Sequence, residues 1–217
     1  MRALSPIAAL GSLAVAGLLS IAAARAGCDE PAAPAAVALN VDERPTVYRL
    51  AESGAALAVR ARATGTAIGH GDRLLGYTVN RYEPAIALET AIAAPGCAVL
   101  RSAIVTVAAA TEVLADRRFG PGTCQQAAIL DHENQHVAVF REAIAQYAPA
   151  MAAALRRALP ASLVASTRSD ADAAYARQIG EVLAPWLDAA RARAADGNRR
   201  LDAPESYART FRRCASW

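Results

Sequence analysis

The chain has 217 residues, of which 54% are hydrophobic and only 5% aromatic. All 23 basic residues are arginine, against 20 acidic residues, and the formal net charge is +3. This length suffices for one domain with a substantial core. The sequence shows no basic patch interleaved with aromatic residues, which argues against nucleic acid as a partner.

The first 26 residues have the pattern of a secretory signal peptide. Arg2 provides a short positive segment, residues 7–24 carry no charge, and Ala24-Arg25-Ala26 forms a small-x-small cleavage site. An uncleaved membrane anchor is the alternative, because the apolar run is near the minimum length for a membrane span. The cleavage site directly after the run favours removal. We therefore predict a single mature domain over 27–217, periplasmic or secreted and not attached to a membrane.

The cysteine content fits an exported protein. An even number of cysteines in an oxidising compartment predicts two disulfides, and four cysteines allow three pairings, which the sequence leaves open. No two cysteines have the C-x-x-C spacing of a metal site. The four are Cys28, Cys97, Cys124 and Cys214.

The first half of the mature chain is predicted to form β-structure. Residues 29–45 are rich in proline and alanine and are predicted to form an extended lead-in. From Thr46 onwards, apolar residues recur with a period of two. The predicted strands cover 57–64, 74–82, 85–92, 98–108 and 111–119, with turns at 69–72, Pro84 and 94–96.

The second half has the periodicity of helices. Thr123 is a predicted N-cap, with Gln126 completing a capping box, for a helix from 124 to about 146. Pro149 should kink or interrupt this helix before it resumes to 159. Another helix is predicted over 170–195, and a short one begins at a capping box of Asp202 and Glu205. Strands followed by helices predict an α+β fold, with an antiparallel or mixed N-terminal sheet before the helices.

One segment of the first predicted helix carries a chemical motif. The chain has three histidines, and two of them, His132 and His136, lie four residues apart with Glu133 between them. One helical turn separates the two imidazoles, so both can bind the same zinc ion from one face. Glu133 points about 100° away and suits a general base that takes a proton from a zinc-activated water. The H-E-x-x-H pattern therefore predicts a Zn²⁺ hydrolase, with a packed structural helix as the alternative.

A zinc site of this kind needs a third protein ligand. Glu142 is excluded, because it lies about 240° around the same helix from His136. Three candidates remain from the residues alone, and each has an ordinary structural explanation. Glu181 fits a solvated helix face, Asp202 fits a helix cap, and His70 fits an exposed loop.

The order of sheet and helix, the "C…HENQH" segment and the Asp-containing C-terminal segment resemble a family of secreted bacterial proteins with a domain of unknown function. That family is held to comprise zincin-type, zinc-dependent proteases. Near its C-terminus it has an Asp followed five residues later by a His in a Thr-x-His-Gly setting. Asp202 matches that Asp, but Tyr207 stands in place of the His and Glu205 in place of the Thr. The resemblance implies that 202–207 returns to the metal, with Asp202 as the third ligand, as in aspartate-type zincins, and Tyr207 stabilising the oxyanion.

These observations predict a secreted zinc endopeptidase with a zincin-like domain. Its substrate would be a peptide or protein, including cell-wall peptides, and the strand predicted at 111–119 would line a cleft and pair with an extended peptide. The alternative is a non-enzymatic periplasmic protein. Such a protein would be either a pseudoenzyme with a degenerate zincin helix or a module that captures a peptide at a sheet edge.

Overall fold

A computed structural model describes Cys28, residues 34–65 and residues 74–217. These residues form five strands and four helices, which confirms the α+β class. The predicted signal peptide and His70 lie outside the described residues. In chain order the elements are β1 (Ala36–Asp42), β2 (Val47–Glu52), α1 (Gly54–Ala63), β3 (Gly76–Ala94), β4 (Cys97–Asp116), α2 (Cys124–Ala158), β5 (Ser162–Val164), α3 (Arg168–Leu201) and α4 (Pro204–Phe211).

The sheet is organised around β4. On one side, β3 pairs with β4 in antiparallel register along almost its whole length, and Gly96 with φ 77° lies in the turn between them. On the other side, three short strands follow one another along β4: β5 antiparallel, then β1 and β2 parallel. The sheet is therefore mixed, and β4 is its central strand.

The two long strands, β3 and β4, are longer than predicted. The segments 74–82 and 85–92 belong to the single strand β3, and 98–108 and 111–119 mostly to β4. Pro84 lies inside β3, opposite Val107, instead of in a turn. A proline is tolerated there because β3 pairs with only one strand in the described residues, so a missing N–H can face away from the ladder.

Two local predictions from the N-terminal part were wrong. The expected lead-in contains β1, whose alternating Val37, Leu39 and Val41 are half-buried. The expected strand at 57–64 is helix α1, which Ser53 caps by accepting the N–H of Ala56 at 3.1 Å. Leu57 and Ala61, one helical turn apart, are fully buried in this helix. A spacing of four is shared by both periodicities, and the high helix propensity of alanine favours the helix.

Helices α2 and α3 run antiparallel to each other across the sheet. Of the kink or interruption predicted at Pro149, the interruption does not occur, since α2 continues through it. Proline removes one backbone donor, but Pro149 and Ala145, whose carbonyl loses that donor, are both exposed to solvent. Helix α3 extends to Leu201, and Asp202 is its C-cap. The predicted capping box of Asp202 and Glu205 therefore does not form, and Ala203 is the N-cap of α4.

The main core lies between the sheet and the α2–α3 pair. Tyr82 on β3 stacks on Phe140 of α2 with ring centroids 4.0 Å apart, and its hydroxyl donates to the Phe140 carbonyl at 2.9 Å. This contact fixes α2 on the sheet one turn beyond the histidines. The largest fully buried side chains of the two helices are Ile144, Met151, Leu155, Tyr175, Ile179 and Leu183.

Two disulfides connect distant parts of the chain, as predicted. Cys28 is bonded to Cys97, and Cys124, the first residue of α2, is bonded to Cys214 after α4. A crosslink that closes a loop of about 90 residues stabilises the folded state by roughly 4–5 kcal/mol in the chain-entropy account. Both bonds fit a protein of an oxidising compartment. In the described part of the chain, no helix is long and apolar enough to cross a membrane.

Candidate metal centre

The two histidines of the H-E-x-x-H motif lie on α2 and face α3. Thr123 begins the helix as predicted, with its hydroxyl oxygen accepting the Gln126 N–H at 3.2 Å. The Thr123 N–H donates to the Gly120 carbonyl at 3.3 Å. His132 and His136 are 5% and 7% exposed, so both are buried although they are polar. Burial without matching partners is costly, so the groups that surround these rings decide what the site does.

Asp202 reaches the histidines from the C-terminal end of α3. Its Oδ1 lies 3.4 Å from Nε2 of His132 and 3.2 Å from Nε2 of His136, and the two Nε2 atoms are 3.2 Å apart. The three atoms thus form a nearly equilateral triangle. Three ligand atoms about 2.0–2.1 Å from one tetrahedral zinc ion would lie about 3.3–3.4 Å from one another. Their spacing suits a single ion, and this group could hold a metal.

Two neutral rings satisfy this triangle incompletely. Nδ1 of His136 lies 3.0 Å from the amide oxygen of Asn198, so a neutral His136 ring carries its hydrogen there. Its Nε2 is then an acceptor that faces another acceptor, the Asp202 carboxylate. If both rings were protonated, two positive imidazoliums would meet at 3.2 Å. A cation between the three atoms would be attracted by every lone pair, so the donor set fits a metal.

The pKa values of Asp202 and His136 are both shifted in favour of the charged form of each group. Burial would raise the pKa of Asp202, but hydrogen bonds with His132 and His136 outweigh burial and hold that pKa well below its usual range. Burial would lower the pKa of His136, but its hydrogen bond with Asp202 and the charge of Glu133 outweigh burial and raise it. The site therefore favours an ionised carboxylate with positive charge beside it.

Glu133 is buried on the sheet side of α2, at 5% exposure. Its Oε2 accepts a hydrogen bond from the Thr78 hydroxyl on β3 at 2.6 Å. Gly76 provides the space, because a Cβ at that position would lie 2.5 Å from Oε1 of Glu133. Burial raises the pKa of Glu133, against the opposing charge of His136 and the hydrogen bond from Thr78. A buried carboxylate with a raised pKa beside a group of metal-ligand type has the properties of a general base.

Tyr207 lies at the solvent side of the group. Its ring is 5.2 Å from the ring of His132, centroid to centroid, and its hydroxyl donates to Oδ1 of Asp202 at 3.1 Å. The segment around it is tied to α2 by the Cys124–Cys214 disulfide and by an ion pair between Arg213 and Asp131. Residues 202–207 therefore lie beside the two histidines of α2.

Of the other candidate ligands, Glu181 is not part of the group. Glu181 is exposed on α3, 21 residues before Asp202, which corresponds to roughly 30 Å along the helix. His70 lies outside the described residues. Thr78, Gly76 and Asn198 contribute to the site without having been predicted. Of these three, only Asn198 could have been identified from the sequence, because it lies four residues, or one helical turn, before Asp202.

The prediction that the strand at 111–119 pairs with an extended peptide was wrong. Residues 111–115 of β4 pair with β3 on one side, and residues 112–114 and 116 pair with β2 on the other. This part of the sheet therefore has no free edge, and its backbone donors and acceptors are already used.

Comparison of the chain with protein-family models, with curated proteins and with solved structures finds no match in any of the three. A function for the chain therefore has to be inferred from the geometry of its metal-ligand group.

Proposed function

We propose that the protein is a zinc-dependent hydrolase that cleaves peptide bonds, with His132, His136 and Asp202 as the metal ligands. The observation that carries this proposal is the triangle of two imidazole nitrogens and one carboxylate oxygen, with sides of 3.2, 3.2 and 3.4 Å. Three protein ligands of nitrogen and oxygen type, with a fourth position left open, are typical of catalytic zinc sites. A bound Zn²⁺ supplies Lewis-acid chemistry, because it acidifies water and polarises a carbonyl.

Glu133 would move the proton. The raised pKa of Glu133 is closer to neutral pH, and a general base is most effective when its pKa is near the working pH. The Thr78 hydroxyl holds Oε2 in place. A Glu133 oxygen would accept a proton from the attacking water and then deliver it to the nitrogen of the leaving amine. One group can perform both transfers because it is buried and its orientation is fixed.

Tyr207 would stabilise the oxyanion. Its side chain is 39% exposed, so a substrate can approach it, while the bond to Asp202 orders the hydroxyl near the ligand group. A donor placed in advance near developing negative charge lowers the barrier of acyl transfer. We infer that the Tyr207 hydroxyl, which donates its single hydrogen to Asp202 in the free protein, turns to donate it to the oxygen of the scissile carbonyl when a substrate binds.

The metal part of this proposal can be tested by counting zinc. Residues 27–217 are produced in an oxidising compartment, purified, and analysed for metal by mass spectrometry. We expect about one zinc per wild-type chain, a number that corresponds to a single three-ligand site. His132→Ala and Asp202→Ala should lose the zinc. Glu181→Ala, an acid on the same helix as Asp202, should keep it. A folded wild type that binds no added zinc would contradict the proposal.

The hydrolytic part needs a separate experiment. Glu133→Gln removes the base but keeps the shape of the side chain, so zinc should remain bound while hydrolysis of a peptide library falls by about 10²–10⁴-fold. Glu142→Gln, an exposed acid on the same helix, is the matched control and should keep its activity. Equal activity of wild type and Glu133→Gln on every substrate would favour a non-enzymatic binding protein instead.

A further inference from the structure

The hydrogen bond between Asn198 and His136 is not explained by metal binding alone. Oδ1 of Asn198 lies 3.0 Å from Nδ1 of His136, on the side of the ring away from Asp202. Asn198 and Asp202 are four residues apart at the end of α3, as His132 and His136 are on α2. One turn of α3 thus faces one turn of α2, and each turn carries two polar groups directed at the other.

The backbone of α3 comes unusually close to α2 at this level. Gly197 packs against Val139, and a Cβ on Gly197 would lie 2.5 Å from Cγ1 of Val139. A side chain as short as that of asparagine reaches an imidazole on the facing helix only when the two helices are this near. By allowing this close approach, Gly197 brings Asn198 within reach of His136.

The chemistry of the contact fixes one tautomer. A carbonyl oxygen can only accept, so the hydrogen of a neutral His136 must be on Nδ1. Its Nε2 then has a lone pair directed at the space between His132 and Asp202. The opposite orientation of the amide would donate to Nδ1 and leave a hydrogen on Nε2, where it would block a metal.

We propose that Asn198 is a positioning residue that holds His136 in the Nδ1–H tautomer and so prepares Nε2 for the metal. This inference rests on the proposed zinc site, and it adds Asn198-x-x-x-Asp202 as a second half of that site. Partners that orient a metal-binding histidine in this way commonly change metal affinity by about 10–100-fold.

The affinity test uses three variants of α3. Asn198→Leu keeps the approximate size but has no acceptor, and we expect its zinc affinity to fall by about 10–100-fold in competition with a chromophoric chelator. Asn198→Asp still offers an acceptor and should bind zinc as tightly as wild type or more tightly. Gln178→Leu is the matched control. It removes another amide of α3 that is bonded to α2, through the Ala158 carbonyl at 2.8 Å, and should bind zinc like wild type.

A second readout is independent of metal. In metal-free protein at a pH where imidazole is neutral, the nitrogen chemical shifts of His136 report which ring nitrogen carries the hydrogen. Wild type and Asn198→Asp should show the Nδ1–H tautomer, whereas Asn198→Leu should lose that preference. A wild-type Nε2–H tautomer would overturn the inference, and this measurement remains decisive if Asn198→Leu fails to fold.

The outcomes separate the inference from the proposed function. If wild type and Asn198→Leu bind zinc equally, the role of Asn198 is overturned while the zinc site stands. An equal loss in Gln178→Leu would also overturn it, because any bond between the two helices would then have the same effect. If wild type binds no zinc, the proposed function fails, and an Nδ1–H tautomer in wild type that is lost in Asn198→Leu would still support the positioning role.

Discussion

Asp116 at the end of β4 and Asp202 at the end of α3 are two carboxylates that differ in the groups that balance their negative charge. Asp116 is 2% exposed and is matched by Arg118, two residues away. Its Oδ2 accepts from the Arg118 guanidinium at 2.8 and 2.9 Å, and its Oδ1 accepts from the Arg118 N–H at 3.0 Å. Oδ2 also lies beside Gly54, the first residue of α1, where the helix dipole favours negative charge.

Asp202 has no such permanent partner. Its ion-pair partners within the described residues are His132 and His136, which carry full positive charge only when protonated. The chain thus balances the charge of Asp116 by itself but leaves that of Asp202 to be balanced by protons or by a metal. A buried acid with an arginine close in sequence is a structural element, whereas an acid held between two histidines is a group that could hold a metal ion.

The largest expected effect comes from supplying that cation. Free zinc at about 1,000 times its dissociation constant should raise the free energy of unfolding by about 4 kcal/mol, because the metal binds the folded chain only. Urea unfolding with zinc and with a chelator measures the difference. Asp202→Ala should show no gain. If it gains as much as wild type, the stabilising zinc is bound elsewhere.

The stability contributed by the Asp116–Arg118 pair should not depend on zinc. Arg118→Gln leaves a buried carboxylate without its cation and should lower the free energy of unfolding by about 3 kcal/mol, equally with and without zinc. Arg117→Gln is the control, since the Arg117 charge acts on Asp116 without a hydrogen bond. A loss in Arg118→Gln that zinc restores would mean that the two carboxylates are not independent.

The sequence predicted the side chains of the candidate metal centre better than the elements that carry them. His132, Glu133 and His136 share one helix, so their relative placement is set by helix geometry alone. Asp202 lies 66 residues after His136, and the residues alone left it as one of three candidates, among which the resemblance to a family with an Asp in this segment favoured it. Its position depends on the length of α3, which the predicted end at 195 and the capping box at 202–205 both missed.

The contributions of Gly76, Thr78 and Asn198 come from packing between distant elements. No local pattern indicates that a glycine on β3 makes room for Glu133, or that α3 approaches α2 at Gly197. The wrong prediction of a strand at 57–64 has another cause. Alternating small apolar residues and arginines fit both the strand and the helix period over so short a segment, and the high helix propensity of alanine favours the helix.

A change in the spacing of the two helices should have a smaller effect, and only on the Asp202 group. The Asp116 pair is local, but the Asp202 group needs α2 and α3 at a set distance. Gly197→Ala forces its methyl group against Val139 and should lower the free energy of unfolding by about 1–3 kcal/mol and weaken zinc binding.

Two further variants define this effect. Val139→Ala in the same chain should restore zinc binding, because it removes the colliding methyl groups. Gly180→Ala lies on the same helix with nothing within 4 Å of the added Cβ, so it should leave zinc binding unchanged. Zinc affinity is measured by chelator competition in all four proteins. Unchanged binding in Gly197→Ala would show that the helix spacing does not control the site.

The smallest effect is confined to acid pH and isolates Asp116. Burial raises its pKa, but hydrogen bonds from Arg118 and the charges of Arg118 and Arg117 outweigh burial, so the folded-state pKa is lowered. A lowered pKa contributes stability that is complete above the unfolded value of about 3.9 and is lost as the pH falls through the folded value. In chelator, wild-type stability should therefore fall more steeply below about pH 4 than that of Asp116→Asn, whose side chain does not titrate. Parallel curves from urea unfolding would mean that Arg118 does not stabilise the ionised form, and the contrast with Asp202 would then lose its basis.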